Sequence, residues 1–578
     1  MKKLFLLVLL IFSLFAVSCG GEEDAEENFQ ENDEAVAVSI RTVRDGSGTT
    51  AGCMGFIECI YPELSAIRFE ITNDKGLQVF QQSNEREEIN FKDLKLDGIP
   101  DVEHATLKIM IYGENRDHAT WIGKASGLKF TKGKTTTVDI VLYPTSAAQK
   151  SEVSMPTDLN VPRFGHSATL LNDNRILVAG GFSACFTNVC KADKSVEIID
   201  LESGEVTRLK DMNEERALHT VIPLSDGSVL FLGGVKTFVT SGQEEAFENY
   251  PLLPYVMEDA VMTIERYMPP YPKHNQSLNG FIEDTMNSNG EVETEAEIPF
   301  KPFQSIITKK INVSESDTET ASKTLVILAG GVSSKGNPSK KSYKFTITEK
   351  NDKTVSIGTV KELAESEEPM LLPVLEYQNS TLFAAGGRPL NTEAAASIIT
   401  ENGSQNAGKP EHNIFFAQGV LADDKLYTFG GHEIDSKTGT FITSAKKTTE
   451  TGEEVNETRL NAIRLWTLSD GTARTVKERI VSYGKNVAFP AVVKDSKNFI
   501  IVGGTSAANY FQRFNIKSPK LIDNPPQKMG DKRIMPGAVV VPAGVISEDD
   551  KQMIVITGGI SSLDGNGTAV SSIKIKNL

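Results

Sequence analysis

Seven diglycines, each preceded by four almost entirely apolar residues, recur through the last three quarters of this 578-residue sequence. The diglycines lie at 180–181, 233–234, 330–331, 386–387, 430–431, 503–504 and 558–559. In the preceding tetrapeptides only Thr428 and Thr557 are not apolar. A continuous apolar run is typical of a strand buried on both faces, and glycine permits positive φ and close backbone approach. Seven such strands require seven sheets packed face to face.

Further strand patterns surround each diglycine strand. A polar turn and another apolar segment precede most of them, as at 167–171. A third segment follows each diglycine, as at 196–199, and a fourth often follows, as at 206–209. Four antiparallel strands per unit predict an all-β fold with a seven-bladed β-propeller over 151–578. Because the last unit stops after its third strand, residues 151–156 are predicted to complete it and close the ring.

Two tetrapeptides carry a family resemblance. Arg163-Phe164-Gly165-His166 and Arg216-Ala217-Leu218-His219 stand before the first strands of the first two units. Together with the diglycines, this Arg-x-x-His pattern resembles the Kelch-repeat family over residues 151–578. The resemblance implies a Kelch-like β-propeller, in which His166 and His219 are expected to pack between blades rather than to perform chemistry.

The N-terminus has the pattern of an export signal. Lys2 and Lys3 precede an apolar run over 4–17, which is shorter than the ~20 residues that a membrane span needs. Small residues before Cys19 resemble a bacterial lipobox, which implies a signal peptide over 1–18 and a lipidated Cys19 carrying acyl chains such as palmitate. Gly20 rather than Asp follows Cys19, which favours the outer membrane of the cell envelope. The alternative is an ordinary secretory signal with a coincidental cysteine.

Two further regions precede the repeat. Residues 19–34 combine Cys19 with an acidic run that repels itself, so they are predicted to form an extended tether. Residues 35–145 alternate with a period of two between turn signals, which predicts a small immunoglobulin-like or transthyretin-like β-sandwich. This region carries no chemical motif, so a spacer or stalk is the expectation.

The remaining cysteines form two close pairs. Cys53 with Cys59 and Cys185 with Cys190 predict two disulfides, because an even number of cysteines in an exported chain favours pairing. A metal site is the alternative, but neither segment has a CxxC motif or a histidine. No metal or cofactor is therefore expected. The net charge of −17 argues against a nucleic-acid partner, which would require a basic face.

The long insertions all fall on one side of the predicted propeller. They are 182–194, 235–261, 432–460 and part of 269–303, and long loops in a compact fold are often functional. The prediction for this side is an aromatic ligand platform of Tyr250, Tyr255, Tyr267 and Tyr271, with His432 facing a central pocket. The alternatives are a loop packed over the rim and a solvated histidine.

The sequence shows no catalytic signature. Neither HExxH nor GxSxG occurs. The chain is therefore predicted to be a non-enzymatic, lipid-anchored extracytoplasmic scaffold that recognises a protein or a glycan through propeller loops. One alternative is a periplasmic sugar-processing enzyme resembling the Kelch-type sialic-acid mutarotases, which would gather Arg, Glu and His in the propeller mouth. Another is a structural element of an envelope assembly.

Overall fold

The structure is a computed structural model. It describes residues 35–42, 44–45, 64–89, 95–114, 116–132, 134–145, 152–240, 256–269, 281–283, 298–314, 317–333, 337–389, 396–407, 414–422, 425–431, 445–448, 454–457, 462–468, 476–483, 489–495, 497–504, 509–523, 527–545, 552–563 and 567–578. In this part the chain is all-β, apart from a 3₁₀ turn over Arg86–Glu88. The predicted signal peptide and tether lie outside the described residues.

The described part of the N-terminal region contains eight strands. They are β1 (Ala35–Thr42), β2 (Arg44–Asp45), β3 (Ala66–Thr72), β4 (Gln78–Glu85), β5 (Lys95–Asp97), β6 (Val102–Tyr112), β7 (Ala119–Phe130) and β8 (Thr136–Pro144). Seven of them form a sheet in the order β4-β3-β6-β7-β8-β1-β5, here called the N-terminal sheet. Only two residue pairs join β7 to β8, whereas β8 runs parallel to β1 over seven pairs. The half made of β4, β3, β6 and β7 therefore meets the half made of β8, β1 and β5 at one corner. Both halves contribute to one apolar core.

The remaining strands follow in two groups. The first group is β9 (Glu152–Ser154), β10 (Ser167–Leu170), β11 (Ile176–Ala179), β12 (Phe182–Phe186), β13 (Val189–Ala192), β14 (Val196–Ile199), β15 (Val206–Arg208), β16 (Thr220–Pro223), β17 (Val229–Leu232), β18 (Val235–Val239), β19 (Val256–Ala260), β20 (Ile264–Met268), β21 (Phe281–Glu283), β22 (Gln304–Ile311), β23 (Thr320–Gly330), β24 (Ser342–Lys350), β25 (Val355–Ile357) and β26 (Lys361–Glu362). The second group is β27 (Val374–Gln378), β28 (Thr381–Ala385), β29 (Ala396–Ile399), β30 (Ser404–Asn406), β31 (Gln418–Ala422), β32 (Lys425–Phe429), β33 (Ala445–Thr448), β34 (Glu454–Glu457), β35 (Ala462–Leu468), β36 (Val476–Tyr483), β37 (Ala491–Lys494), β38 (Asn498–Val502), β39 (Tyr510–Asn515), β40 (Lys520–Leu521), β41 (Gln527–Lys528), β42 (Gly537–Val541), β43 (Met553–Thr557) and β44 (Ile573–Asn577).

Each diglycine follows the second strand of an antiparallel sheet. Along the chain, sheets 1 to 7 are β10-β11-β14-β15, β16-β17-β20-β21, β22-β23-β24-β25, β27-β28-β29-β30, β31-β32-β35-β36, β37-β38-β39-β40 and β42-β43-β44-β9. The short strands β26 and β41 pair with the third strands of sheets 3 and 6. Nearly all side chains of the diglycine strands are buried, as their continuous apolar pattern predicts.

The sheets stand around an axis, with their first strands innermost. Contacts join the innermost strands of neighbouring sheets, including β42 with β10, so the series returns to its start. Sheets 2 and 3 are neighbours as well, because buried apolar side chains of both belong to one cluster. The fold is a Kelch-like β-propeller.

The two ends of the propeller segment close the ring. β9 pairs antiparallel with β44, joining Val153 to Ile575, which confirms the predicted closure. β2 of the N-terminal region then pairs with β9 at the outer edge of the same sheet. Beside this edge, the Tyr143 hydroxyl donates to the Leu201 carbonyl at 2.5 Å, and the N-terminal core merges with residues of sheets 1 and 7.

A further four-stranded sheet comes from two of the insertions. β12 and β13 leave sheet 1 after its diglycine, and β18 and β19 leave sheet 2 after its diglycine. They pair in the order β12-β13-β18-β19, here called the inserted sheet. A separate hairpin, β33-β34, lies within the predicted insertion 432–460. The inserted sheet therefore lies at the diglycine end of the propeller, whereas the N-terminal sheet contacts the turn between β14 and β15 at the other end, where the N–H of Val141 donates to Glu202 O.

Candidate binding face

A ring of seven residues surrounds the axis at the diglycine end of the innermost strands. Each lies just before the first strand of its sheet, and each has φ between 46° and 63°. The seven, here called the turn ring, are Gly165, Leu218, Phe303, Leu372, Phe416, Phe489 and Met535. Six of them are large apolar residues in a conformation that costs energy for any residue except glycine.

Backbone hydrogen bonds link the turn ring from sheet to sheet. The N–H of Gly165 donates to Met535 O at 2.9 Å, and the N–H of Leu218 donates to Gly165 O at 2.8 Å. Similar bonds run from Leu372 to Phe303, from Phe489 to Phe416 and from Met535 to Phe489. The left-handed conformation points the N–H and C=O groups of these residues toward neighbouring sheets. The strained residues therefore provide hydrogen-bond partners for backbone groups near the axis.

The diglycines support the ring from outside. The N–H of the second glycine donates to a carbonyl in the next sheet's turn, as from Gly181 to Arg216 at 2.9 Å and from Gly559 to Arg163 at 2.7 Å. A Cβ on the first glycine, Gly180 or Gly558, would clash with the same carbonyl oxygen. The diglycine is therefore required by contact between sheets as well as by positive φ.

Five arginines are fully buried around this end. They are Arg163, Arg216, Arg388, Arg464 and Arg533. Four of them donate to the carbonyl of the first glycine in their own sheet, and the Arg163 Nη1 to Gly180 O distance is 2.8 Å. Arg163 also pairs with the buried Glu197 at 2.5 Å. These guanidinium groups are bound within the propeller and are unavailable to a ligand.

The two repeat histidines join neighbouring sheets. The His166 Nε2 lies 2.8 Å from Thr557 Oγ1 of sheet 7, and the His219 Nε2 lies 2.8 Å from Ser167 Oγ of sheet 1. Burial lowers the pKa of His166 well below its usual value and lowers the pKa of His219 to about 3. Both rings are neutral at neutral pH, which confirms their predicted packing role.

The inserted sheet packs its inner face onto the turn ring. Phe182 contacts Phe164 and Phe238, with ring centroids 5.2 and 5.6 Å apart. Phe238 in turn meets Phe489 of sheet 6 at 6.1 Å. One apolar cluster joins Phe238, Cys190 and Met257 with the turns of all seven sheets. Its buried residues close the axis of the propeller at this end.

The outer face of the inserted sheet carries an apolar row. Cross-strand pairing places Phe186 opposite Val189 and Val189 opposite Val239, one position from the inward-facing row that contains Cys190 and Phe238. Side chains alternate between faces along a strand, so Phe186, Val189 and Val239, here called the outer row, face away from the turn ring. Phe186 is 75% exposed beside the two-residue turn Thr187–Asn188.

A cavity of about 270 Å³ lies on the axis beneath the turn ring. Its lining includes ring residues, Met257 and the first residues of several innermost strands. None of the lining residues that the structure describes is Asp, Glu, His or Arg. Elsewhere in the described chain, no group of three or more His, Cys, Asp or Glu residues could hold a metal ion. The described cavity does not gather the groups that the sugar-processing alternative requires.

The structure locates only some of the predicted site residues. The disulfide Cys185–Cys190 is present and joins β12 to β13. Tyr267 is fully buried in β20, where its hydroxyl donates to Lys210 O at 2.9 Å, so the prediction that it contributes to an exposed platform is wrong. Cys19, Cys53, Cys59, Tyr250, Tyr255, Tyr271 and His432 lie outside the described residues.

Three features of this face were not predicted from the sequence. The turn ring has no common residue type, and its signal in the sequence is only an apolar residue before each first strand. Arg388 and Arg464 reach the same region from other positions of their sheets. The inserted sheet combines segments more than forty residues apart, so no local sequence pattern predicts it.

Comparison with known proteins agrees with this architecture. Residues 162–213, which contain β10 to β15 and the first diglycine, match the Kelch motif. No curated protein gives a significant match to the chain. No helix in the described part of the chain is long and apolar enough to cross a membrane. The fold and the matched segment together establish a Kelch-like β-propeller that contains a Kelch motif.

Proposed function

We propose that this chain is a lipid-anchored extracytoplasmic scaffold of seven blades that binds a protein partner through the outer row. Kelch repeats are typical of β-propellers that act as scaffolds for protein interaction. The observation that supports this proposal most directly is the outer row itself. Phe186 is 75% exposed there, on a sheet whose other face is buried. An exposed aromatic beside β-branched side chains has the composition of a protein-binding anchor. We favour a protein over a glycan because these side chains offer no polar group to sugar hydroxyls.

The position of the outer row supports the same proposal. The disulfide directly behind Phe186 fixes the hairpin tip, so binding orders few side chains there. Lys191 and Glu258 flank the row as exposed charges on neighbouring strands. They give the apolar row a polar rim, as in many transient interfaces.

The lipid anchor is supported by the N-terminal pattern and by the disulfide. Lys2, Lys3 and the apolar run before Cys19 fit an exported lipoprotein. The disulfide Cys185–Cys190 fits an oxidising compartment outside the cytoplasm. We expect the full chain to fractionate with outer membranes and to incorporate an alkynyl palmitate label. The variant Cys19→Ser should lose both properties, and a labelled Cys19→Ser chain would contradict the anchor.

The partner surface can be tested by photocrosslinking in the native envelope. Benzoylphenylalanine is introduced into the full chain at Phe186, at Val189 or at Leu77. Leu77 is a matched control because it is apolar and 62% exposed in the turn between β3 and β4. We expect one protein adduct from positions 186 and 189 and none from position 77.

A second substitution makes the test specific. Val239→Glu adds a charge to the outer row, so it should abolish the adduct formed from position 186. The proposal fails if the adduct persists in Val239→Glu, or if position 77 yields the same adduct. An adduct that contains glycan without protein, or no adduct at all, also contradicts it.

A further inference from the structure

The axial cavity has the shape of a cup with an apolar floor. The floor consists of turn-ring residues, including Phe303, Phe416 and Phe489, with Met257 of the inserted sheet. Phe416 and Phe489 lie side by side, with ring centroids 4.9 Å apart. Along β22 the first four residues are half-buried and the last four are exposed, so the wall becomes more accessible away from the floor.

The wall of the cup mixes polar side chains with apolar ones such as Ile306 and Val374, and the described part of it is almost uncharged. Thr220, Ser305 and Gln418 line it, and Gln418 is exposed. The first strands of sheets 3, 4 and 5 pair with only one neighbour each, so alternate backbone N–H and C=O groups face the axis. Among the lining residues that the structure describes, only Lys301 is charged, and its ammonium donates to Ser339 Oγ at 3.0 Å above the Tyr343 ring.

We propose that this cup binds an uncharged, hydroxyl-bearing small molecule of about monosaccharide size. The wall supplies neutral donors and acceptors for hydroxyl groups, and the phenylalanine floor suits an apolar C–H face. A cation would lose its hydration there without gaining a counter-charge. An anion would meet only the Lys301 ammonium among the described lining residues, and that ammonium already donates to Ser339 Oγ at 3.0 Å and lies over the Tyr343 ring. The inference goes beyond the proposed function, because it concerns the axis rather than the outer row and involves no reaction.

The test uses the full chain in a detergent that has no sugar headgroup. The probes are D-glucose, N-acetyl-D-glucosamine and D-glucuronate, studied by saturation-transfer NMR and titration. We expect at least one neutral probe to bind, with an affinity at least about tenfold above that for glucuronate. Absence of binding by both neutral probes, or equal binding of glucuronate, overturns the inference.

Two substitutions locate the binding. Gln418→Trp places a large side chain at an exposed wall position and should weaken binding of the neutral probe at least about tenfold. Gln78→Trp makes the same change at an exposed position of β4 and should leave binding unchanged. Unaltered binding in Gln418→Trp would place the sugar elsewhere. The photocrosslink from Phe186 reports separately on the partner surface, so either proposal can fail without the other.

Discussion

The N-terminal sheet and the inserted sheet are both additions to the propeller, but they attach to it differently. The N-terminal region contributes β2 to the closing sheet, adds the Tyr143 hydrogen bond and shares its apolar core with sheets 1 and 7. The inserted sheet attaches mainly by aromatic packing, with only isolated bridges at Phe164–Phe182 and Ala217–Val235.

The two attachments differ in the kind of contact they make and in what they leave exposed. The first attachment continues the backbone pairing of the ring through β2, so the N-terminal region reinforces closure. The second attachment uses one face of a small sheet and leaves the outer row free. We therefore expect substitutions at the two attachments to produce different patterns of unfolding.

The largest effect is expected from Phe238→Ala. Phe238 is fully buried between Phe182 and Phe489, and removing such a ring costs about 3–5 kcal/mol. The loss should appear in hydrogen exchange as faster exchange of β13 and β18, with β11 and β43 still protected. Phe514→Ala, within sheet 6, is the control that should weaken the propeller itself. Equal loss of protection in all strands of Phe238→Ala would show that the inserted sheet is not a separate unit.

Gly204→Val should act on the other attachment. Gly204 has φ 74°, and an added side chain would clash with Val141 of the N-terminal sheet. Gly76 has nearly the same φ, 73°, but has no neighbour within 4 Å of an added Cβ. We expect Gly204→Val to lower the free energy of unfolding by about 2 kcal/mol more than Gly76→Val, because only Gly204 adds a clash to the backbone strain. Equal losses in thermal or denaturant unfolding would mean that the attachment adds no stability.

Replacing both Cys185 and Cys190 by serine should have a smaller, local effect. A disulfide that closes so short a loop stabilises by about 2 kcal/mol in the chain-entropy estimate. Hydrogen exchange should quicken in β12 and β13 while sheets 1 to 7 remain unchanged. Faster exchange throughout the propeller would contradict this prediction.

Phe186→Ser should have the smallest effect on folding. The side chain is 75% exposed, so the free energy of unfolding should change by less than about 0.5 kcal/mol. Binding of the protein partner captured from Val189 should nevertheless fall. A stability loss comparable to that of the double cysteine variant would show that Phe186 is part of the core.

The sequence predicts the propeller well because its signal is local and repeated. Each apolar tetrapeptide before a diglycine lies in the second strand of a sheet, and the third strands at 196–199, 396–399 and 573–575 fall within β14, β29 and β44. Burial on both faces requires a continuous apolar run, so each of these strands can be predicted from its own local sequence. The joining of β9 to β44 follows from counting strands at the two ends of the repeat.

The candidate binding face is harder to predict because it is assembled from distant segments. Gly165 and Phe489 occupy equivalent turns but share no chemistry, since the fold requires a backbone conformation rather than a residue type. Tyr267 was expected among loop aromatics, but its strand runs from Ile264 to Met268 and includes it in the core. Pairing of β13 with β18 depends on the ring, which alone brings the two insertions together.

Photo-methionine crosslinking tests most directly the claim that the inserted sheet packs on the turn ring and closes the axis. Met257 is buried in the apolar cluster, and photo-methionine replaces it without mutation. We predict crosslinks within one chain from Met257 to turn-ring peptides, such as those containing Phe303 or Phe416. Crosslinks from Met257 only to its own hairpin or to other proteins would contradict the account.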